Sequence, residues 1–152
     1  MRLVLQRVSF ACVQVNNEIV GEIGYGLLVF LGISPLDTED DIDWLIKKLI
    51  ALRIFNDIEG KMNFSVVDVK GQILVISQFT LFANCHKGNR PSFTGSASPT
   101  IAIPLYESFV ERLKNNFSGK VATGIFGADM KVELLNDGPV TIILDSHNKD
   151  NT

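Results

Sequence analysis

Alternating and continuous apolar runs fill the first third of the chain. Ala11 to Val15 alternates toward the Asn16-Asn17 pair, and Ile19 to Ile23 returns from it. A continuous apolar run, Leu27 to Leu31, then stands between two glycines. Alternation over a few residues favours a half-buried strand, and a short apolar run bounded by glycine favours a buried one. We therefore predict a hairpin followed by a buried strand.

Two later segments have helical spacing. From Glu39 to Arg53, apolar side chains recur at intervals of three and four behind an acidic first turn, and either Asp37 or Thr38 suits the N-cap. The second segment begins near Pro104, a residue type favoured in the first turn of a helix. Its apolar face continues to Phe117. Both patterns predict amphipathic helices.

The remaining pattern predicts short strands and one long loop. The strands are expected at residues 62–66, 72–77, 120–123, 130–135 and 140–144. Between them, a loop rich in Gly, Ser and Pro runs from about Asn84 to Pro99, and loops of that length are usually functional or mobile. Strands and helices without regular βαβ alternation favour an α+β fold. We predict a single domain with a mostly antiparallel or mixed, barrel-like sheet and two main helices.

Composition sets the domain count and the compartment. With 152 residues, 46% of them hydrophobic and 20% charged, the chain suits one globular domain, which we place at residues 1–145 with a frayed polar tail at 146–152. No run reaches the roughly 20 apolar residues that a membrane-spanning helix needs. At the start of the chain, charged residues interrupt the apolar residues too early for a signal peptide. Cys12 and Cys85 lie far apart and form no Cys-x-x-Cys pair, so neither zinc nor a disulfide is indicated. We expect a cytoplasmic protein that does not bind a membrane.

Charge limits the kind of nucleic-acid contact. The net charge of −3 argues against a protein that coats long nucleic acid through a broad basic face. A few local phosphate contacts remain compatible with it. Lys87 and Arg90, both in the long loop, are the candidates for them.

Most familiar catalytic motifs are absent from the sequence. It contains no Gly-x-Ser-x-Gly elbow, no Walker loop and no His-Glu-x-x-His helix. The chain has only two histidines, His86 in the long loop and His147 in the polar tail. A Ser-His-Asp triad would therefore have to be built around His86, and the sequence places no carboxylate beside it.

Three segments have residue patterns that are unusual for a purely structural role. Ser77 to Ala83 follows an apolar strand and begins with small hydroxyl and amide side chains, which can present donors to a bound carbonyl or can be satisfied locally. Asn136 to Thr141 contains an Asp-Gly pair typical of a hairpin turn, but Pro139 cannot donate to the strand that should follow. The third segment, Gly88 to Phe93, places an arginine in the long loop, where a solvated turn is the alternative interpretation.

Together these segments resemble the D-aminoacyl-tRNA deacylase family, and the resemblance extends from Arg7 to Thr141. Ser77-Gln78-Phe79-Thr80-Leu81 resembles the first signature of that family, and Asn136 to Thr141 resembles the second, its Gly-cisPro motif. The segment from Gly124 to Met130 resembles the family's pocket segment. The residues at Ser77 and Phe79 favour this family over the related animal tRNA deacylase branch.

The resemblance implies a homodimer in which each active site uses both subunits. Gly138 and Pro139 of one chain would insert into the partner's pocket at Ser77 to Thr80, and Arg7 would brace them with its fork of donors. The implied catalytic residues are Ser77, Gln78, Phe79 and Thr80. The implied substrate-binding residues are Gly138, Pro139, Arg7, Phe126, Ala128 and Met130.

The implied reaction is hydrolysis of the ester between a D-amino acid and the 3′ acceptor end of tRNA, without metal or cofactor. Backbone N–H groups of Phe79 and Thr80 would stabilise the oxyanion, and the substrate's 2′-hydroxyl would assist water. A covalent Thr80 is the rival mechanism, with only His86 as a base. Glycine mischarged on tRNA should also be removed. The alternatives are a non-catalytic tRNA-binding domain and a general serine or threonine esterase.

Overall fold

The computed structural model describes residues 1–151, the last of these by its backbone alone. Thr152, the end of the predicted polar tail, lies outside the described residues. In chain order the elements are β1 (Arg2–Val15), β2 (Glu18–Ile23), β3 (Gly26–Gly32), α1 (Glu39–Ala51), β4 (Phe55–Asn56), β5 (Met62–Phe64), β6 (Gln72–Ser77), a 3₁₀ turn (Phe79–Phe82), α2 (Pro99–Asn116), β7 (Val121–Thr123), β8 (Lys131–Asp145) and a terminal 3₁₀ turn (Lys149–Asn151).

A six-stranded mixed sheet forms the body of the protein, which confirms the predicted α+β class. Its main path runs β2-β1-β3-β6-β7, and β8 pairs with β1. β1 is antiparallel to β2, β3 and β8, whereas β3–β6 and β6–β7 are parallel. The end strands come close together, because a Cβ on Gly21 of β2 would lie 2.5 Å from the Thr123 carbonyl oxygen of β7. The sheet is therefore nearly closed into a barrel.

β3 and β6 are buried on both faces, as their continuous apolar runs predict. Val29 and Val75 face the two long helices, whereas Leu28 and Leu74 face the opposite side of the sheet, where they pack with Val13. Residues of both clusters are almost completely buried. This two-sided burial fixes the register of the parallel pair whose ends carry the site described below.

Helix α1 begins where the sequence places its cap. The Thr38 backbone N–H donates to the Asp41 carboxylate at 2.8 Å, and the helix starts at Glu39. The predicted start of α2 near Pro104 is wrong. Ser98 has extended backbone angles and Pro99 takes the first helical position, so Pro104 lies inside the helix, where its ring nitrogen cannot donate to the preceding turn. Among the described residues, no helix is long and apolar enough to cross a membrane.

Several strand boundaries differ from the prediction. β1 starts at Arg2 rather than Ala11, and β5 ends at Phe64 rather than Val66. Residues 130–135 and 140–144 are not the two arms of a hairpin. They belong to one strand, β8, whose two halves pair with β1 in the same direction on either side of an irregularity.

The start of the polar tail packs against the domain instead of fraying. Ser146 is buried and its hydroxyl accepts a hydrogen bond from the Met1 amino group at 2.8 Å. The Lys149 ammonium lies over the Trp44 ring, 5.2 Å from its centroid. These contacts hold the residues after β8 beside helix α1.

Candidate active site

A cavity of about 550 Å³ opens at the carboxyl ends of β3 and β6. The two strands are parallel and end side by side, with Leu31 paired to Ser77. Six of the residues predicted for the site line this cavity: Ser77, Gln78, Phe79, Phe126, Ala128 and Met130. The structure therefore brings together two sequence segments that lie about fifty residues apart.

The floor of the cavity lies where strand β6 ends and the 3₁₀ turn begins. The Gln78 N–H still donates to the Leu31 carbonyl at 2.8 Å, and the turn begins at the next residue. The first N–H groups of such a turn have no partner within it. Within the part of the chain that the structure describes, no hydrogen bond joins the Phe79 or Thr80 N–H to another residue. Two adjacent backbone donors are thus free to bind an anion or a polarised carbonyl.

The polar side chains of the turn are engaged with each other. The Gln78 carboxamide donates to the Thr80 hydroxyl, and among the described residues no hydrogen bond joins that hydroxyl to a histidine or a carboxylate. Phe79 is 58% exposed and meets Phe93 of the long loop edge to face, with centroids 5.1 Å apart. The donors therefore belong to the backbone, and the side chains shape the rim.

The opposite wall consists of Phe126, Ala128 and Met130. Phe126 contacts the Tyr106 ring of α2, with centroids 5.4 Å apart. Tyr106 is buried, and burial raises the pKa of its hydroxyl to about 12. Its role is that of a neutral packing residue that holds the wall in place, since a phenol with that pKa keeps its proton at physiological pH.

The second predicted motif lies in a break of the β1–β8 ladder. Gln6 pairs with Thr141 and Val8 with Asn136, so Arg7 alone stands opposite residues 137–140. The peptide bond between Gly138 and Pro139 is cis, and Gly138 has a φ of 134°. Four residues therefore loop out of the strand, and we call them the β8 loop.

Arg7 holds the β8 loop from a buried position. Its Nε donates to the Asp137 carbonyl at 3.0 Å and lies 3.2 Å from the Asp137 carboxylate. Its Nη1 donates to the Ile54 carbonyl and, at 3.2 Å, to the Asn56 side chain. Only 4% of Arg7 is exposed. The guanidinium thus ties the loop to the segment around β4.

Sequence reasoning missed two residues of this clamp. The Asn136 carboxamide donates to the Arg7 carbonyl at 3.1 Å and to the Val140 carbonyl at 3.0 Å. This side chain therefore supplies donors to two carbonyls at the position where the β1–β8 pairing is interrupted. Asn56 accepts from Arg7. Asparagine is common at turns for local reasons, so neither residue carried a signal of its own in the sequence.

The β8 loop does not reach the cavity of its own chain. Asn136 follows Met130 by six residues, and a strand rises about 3.3 Å per residue, so roughly 20 Å separate them along β8. Gly138 and Pro139 are exposed and are not among the residues that line the cavity. One chain therefore contains both predicted halves of the site, but on different faces.

The candidates in the long loop are solvent-facing. His86, Lys87 and Arg90 are exposed, and an Asn84–Ser92 bridge closes the base of the loop. Within the described residues, the His86 ring forms no hydrogen bond with a hydroxyl or carboxylate, although its backbone N–H donates to the Asn84 side chain. This geometry does not support a triad built on His86.

Cys12 and Cys85 are both free thiols.

One cluster outside the cavity combines potential metal-ligand types. Ligand atoms of Asp37, Asp41 and His147 lie within 4.8 Å of one another. Asp37 already accepts hydrogen bonds from the Met1 amino group and from the Ser34 hydroxyl. Because the Asp37 carboxylate already accepts these hydrogen bonds, we assign no metal to the cluster.

Comparisons with known proteins concern the family and the fold of the chain. Residues 4–145 match the family described as D-Tyr-tRNA(Tyr) deacylase. The D-aminoacyl-tRNA deacylase of Flavobacterium johnsoniae is 56% identical over 150 residues, which cover 99% of this chain and all of that protein. The enzyme of the same name from Thermosipho melanesiensis is 56% identical over 146 residues, or 96% of this chain and 97% of its own.

Two solved structures share the fold. One, described as a c-Myc DNA unwinding element binding protein, superposes with a TM-score of 0.91 at 41% identity, covering 95% of this chain and 98% of its own. The other, a probable eukaryotic D-amino acid tRNA deacylase, gives a TM-score of 0.77 at 21% identity over 94% of this chain and 97% of its own. At that identity the second likeness concerns the fold alone. The family match and the close relatives establish that this chain belongs to the D-Tyr-tRNA(Tyr) deacylase family.

Proposed function

We propose that this protein hydrolyses the ester that joins a D-amino acid to the terminal ribose of tRNA. The observation that carries the proposal is a pair of free backbone N–H groups on adjacent residues, that of Phe79, which lines the cavity, and that of Thr80, which follows it. Two donors in that position suit the oxygen that becomes negative when the ester carbonyl is attacked. Removing one such donor from an esterase commonly costs about 3 to 4 kcal/mol of transition-state stabilisation.

The attacking group in this mechanism is water. Thr80 lacks a neighbouring base, and its hydroxyl is already bonded to Gln78, so it is poorly activated as a nucleophile. Water adds to the carbonyl carbon, the oxyanion collapses, and the ribose 3′-oxygen leaves and takes up a proton. The adjacent 2′-hydroxyl of the substrate is the group best placed to orient the water and to relay that proton. The products are free D-amino acid and tRNA.

The second half of the site comes from another copy of the chain. In this arrangement Gly138 and Pro139 of one subunit enter the cavity of its partner, as family resemblance suggests. Apolar side chains near the β8 loop support the pairing, since Phe10, Leu135 and Ile143 are 40%, 55% and 57% exposed. Among the described residues, β8 pairs with β1 alone, so its other edge is available to a second copy.

Chiral selection then follows from main-chain groups. The Gly138 carbonyl accepts from the α-amino group of the substrate, and the α-hydrogen faces the Gly138-Pro139 peptide. An L side chain would overlap that peptide, whereas a D side chain points away from it. Many D-aminoacyl groups should therefore be accepted, and glycine, which has no Cβ, should pass as well.

The tRNA contacts of the proposal are few. Lys87 and Arg90 lie exposed on the long loop, which also supplies Phe93 to the cavity lining, and there they would meet the phosphates of the 3′ end. A protein with a net charge of −3 needs such local contacts rather than a broad basic face. We place the reaction in the cytoplasm, where tRNA is aminoacylated.

Deacylation of D-Tyr-tRNA and L-Tyr-tRNA by the pure protein tests the function. Rapid release of D-Tyr, with glycyl-tRNA also cleaved and L-Tyr-tRNA stable, is expected. Binding of tRNA without cleavage of any ester would instead favour a binding domain. Stoichiometric labelling of Ser77 or Thr80 by a phosphonate reagent would favour a general esterase.

Sedimentation tests the composite site separately. A dimer should persist on dilution, and activity should fall with any dissociation, because each cavity needs the partner's β8 loop. A fully active monomer would contradict the cross-subunit arrangement while leaving the hydrolytic reaction intact.

A further inference from the structure

Ser96, which belongs to neither signature segment, contacts the floor of the cavity. Its hydroxyl donates to the Phe79 carbonyl at 2.7 Å, and its side chain lines the cavity. The same loop reaches Phe79 a second time through the Phe93 ring. The loop thus holds both the side chain and the carbonyl of the residue that opens the 3₁₀ turn.

The carbonyl of Phe79 and the N–H of Thr80 belong to one peptide plane. In a trans peptide the two groups point in opposite directions. A hydrogen bond that fixes the carbonyl therefore also fixes the direction of the Thr80 N–H, one of the two free donors. We propose that Ser96 is a positioning residue whose hydroxyl aims the Thr80 N–H at the developing oxyanion. This inference rests on the proposed function of the cavity.

The hydroxyl is not needed to hold the loop itself in place. The Ser96 backbone N–H donates to the Phe93 carbonyl at 3.0 Å, and the Ala97 N–H donates to the Ile33 carbonyl at 2.9 Å. Both bonds are retained when the Ser96 side chain is shortened. What alanine removes is the side-chain donor on the Phe79 carbonyl, whereas the backbone hydrogen bonds of the 3₁₀ turn remain, so its effect should concentrate on the chemical step.

The test compares Ser96→Ala with Ser96→Thr in steady-state and single-turnover hydrolysis of D-Tyr-tRNA. Ser96→Ala should lower kcat about 10-fold, the scale of one lost hydrogen bond, while KM stays within about twofold because ground-state binding is untouched. Ser96→Thr keeps a hydroxyl and should restore kcat to within about threefold of the wild type. Ser108→Ala is the matched control, because among the described residues that hydroxyl bonds Glu39 alone, on the distant helix surface, and its kcat should not change.

The other outcomes separate the two proposals. If the wild-type protein hydrolyses D-Tyr-tRNA but Ser96→Ala keeps the wild-type kcat, the role of Ser96 is wrong and the proposed function stands. An equal loss in Ser96→Thr, or a loss that follows a lowered midpoint of thermal unfolding, also overturns the positioning role. Wild-type protein without hydrolytic activity would overturn the proposed function itself.

Discussion

The cavity floor and the β8 loop present backbone groups in two different ways. At the floor, a strand passes directly into a 3₁₀ turn, and local geometry alone leaves the Phe79 and Thr80 N–H groups without partners. In the β8 loop, a ladder break exposes Gly138, and two side chains, Arg7 and Asn136, hold it in shape. The free donors of the first arrangement result from neighbours in sequence, whereas the shape of the second depends on a residue about 130 positions away.

This difference predicts how each region responds to substitution. A site built from local backbone tolerates side-chain changes, because every residue except proline supplies the same N–H. A loop held by buried side chains fails when one of them is removed, since the acceptors they satisfied are left without partners. The β8 loop should therefore be the sensitive half of the site, and the cavity floor the tolerant half.

Arg7→Ala should have the largest effect. It leaves the carbonyls of Ile54 and Asp137 without their donor in a buried setting, which should lower the free energy of unfolding by about 3 kcal/mol. Deacylation should fall at least about 100-fold, because a misplacement of about 1 Å can cost that much. Urea unfolding and single-turnover assays measure the two effects.

Arg53→Ala is the matched control for Arg7. Arg53 also donates to a backbone carbonyl, that of Asn63 at 2.7 Å, but in an exposed setting. Water can replace that donor, so the loss should stay below about 1 kcal/mol. Equal losses in the two variants would contradict the view that buried side chains maintain the β8 loop.

Gly138→Ala should come next. An added Cβ would lie 2.8 Å from Val140 Cγ2 and 2.9 Å from Arg7 Nη2, at a φ of 134° that L side chains rarely adopt. The loop must shift, and activity should fall about 100-fold while most of the stability remains. In Gly60→Ala the φ is 79° and no atom lies within 4 Å of the new Cβ, so that variant isolates the backbone cost and should keep full activity.

The same division explains what could be predicted from the sequence. β3, β6 and α1 follow from local patterns, because apolar runs and a capped helical repeat need no distant information. The sequence predicts that the apolar strand ends near Ser77, and β6 ends there, but no pattern predicts the 3₁₀ turn that begins at Phe79. The resemblance supplied the roles assigned to Ser77 and Thr80, which no pattern rule would have given.

The errors have two causes, a distant contact that overrides local preference in β8 and an earlier local start signal in α2. Asp137, Gly138 and Pro139 favour a turn by themselves, yet β1 pairs with both flanks of the segment and keeps them in one strand. Pro104 resembles a helix start, but Ser98 and Pro99 already provide one. The roles of Ser96 and Asn136 were not predicted, although Asn136 opens the second signature segment, because a single serine or asparagine in a polar stretch has many local explanations.

Low pH should destabilise the end of β8 that follows the β8 loop. Burial would raise the pKa of Asp145, but hydrogen bonds from Arg2 and from the His147 backbone outweigh it, so the pKa is lowered overall. A lowered pKa in the folded state gives stability that is present above the unfolded value of about 3.9 and is lost as pH falls through the folded value. Asp145→Asn should lower the unfolding free energy by about 1 kcal/mol at pH 7 and by less at pH 2 to 3.

Urea unfolding at the two pH values measures this difference. Glu59→Gln serves as the control, because Glu59 is 65% exposed and pairs only with the exposed Lys61. Surface pairs of that kind contribute little. A loss for Asp145→Asn that is equally large at both pH values would show that its contribution does not depend on the carboxylate charge.

Thr80→Ala should have the smallest effect, and it tests the tolerant half of the comparison. Alanine keeps the backbone N–H that we assign to oxyanion stabilisation and removes only a hydroxyl that accepts from Gln78. Because Thr80 is exposed, water can take over that hydrogen bond, and kcat for D-Tyr-tRNA should stay within about fivefold of the wild type. If Thr80 were the nucleophile, its loss would cost about 10⁴-fold or more. A drop of that size in a folded variant would show that the side chain carries the chemistry and that the cavity floor is not a backbone site.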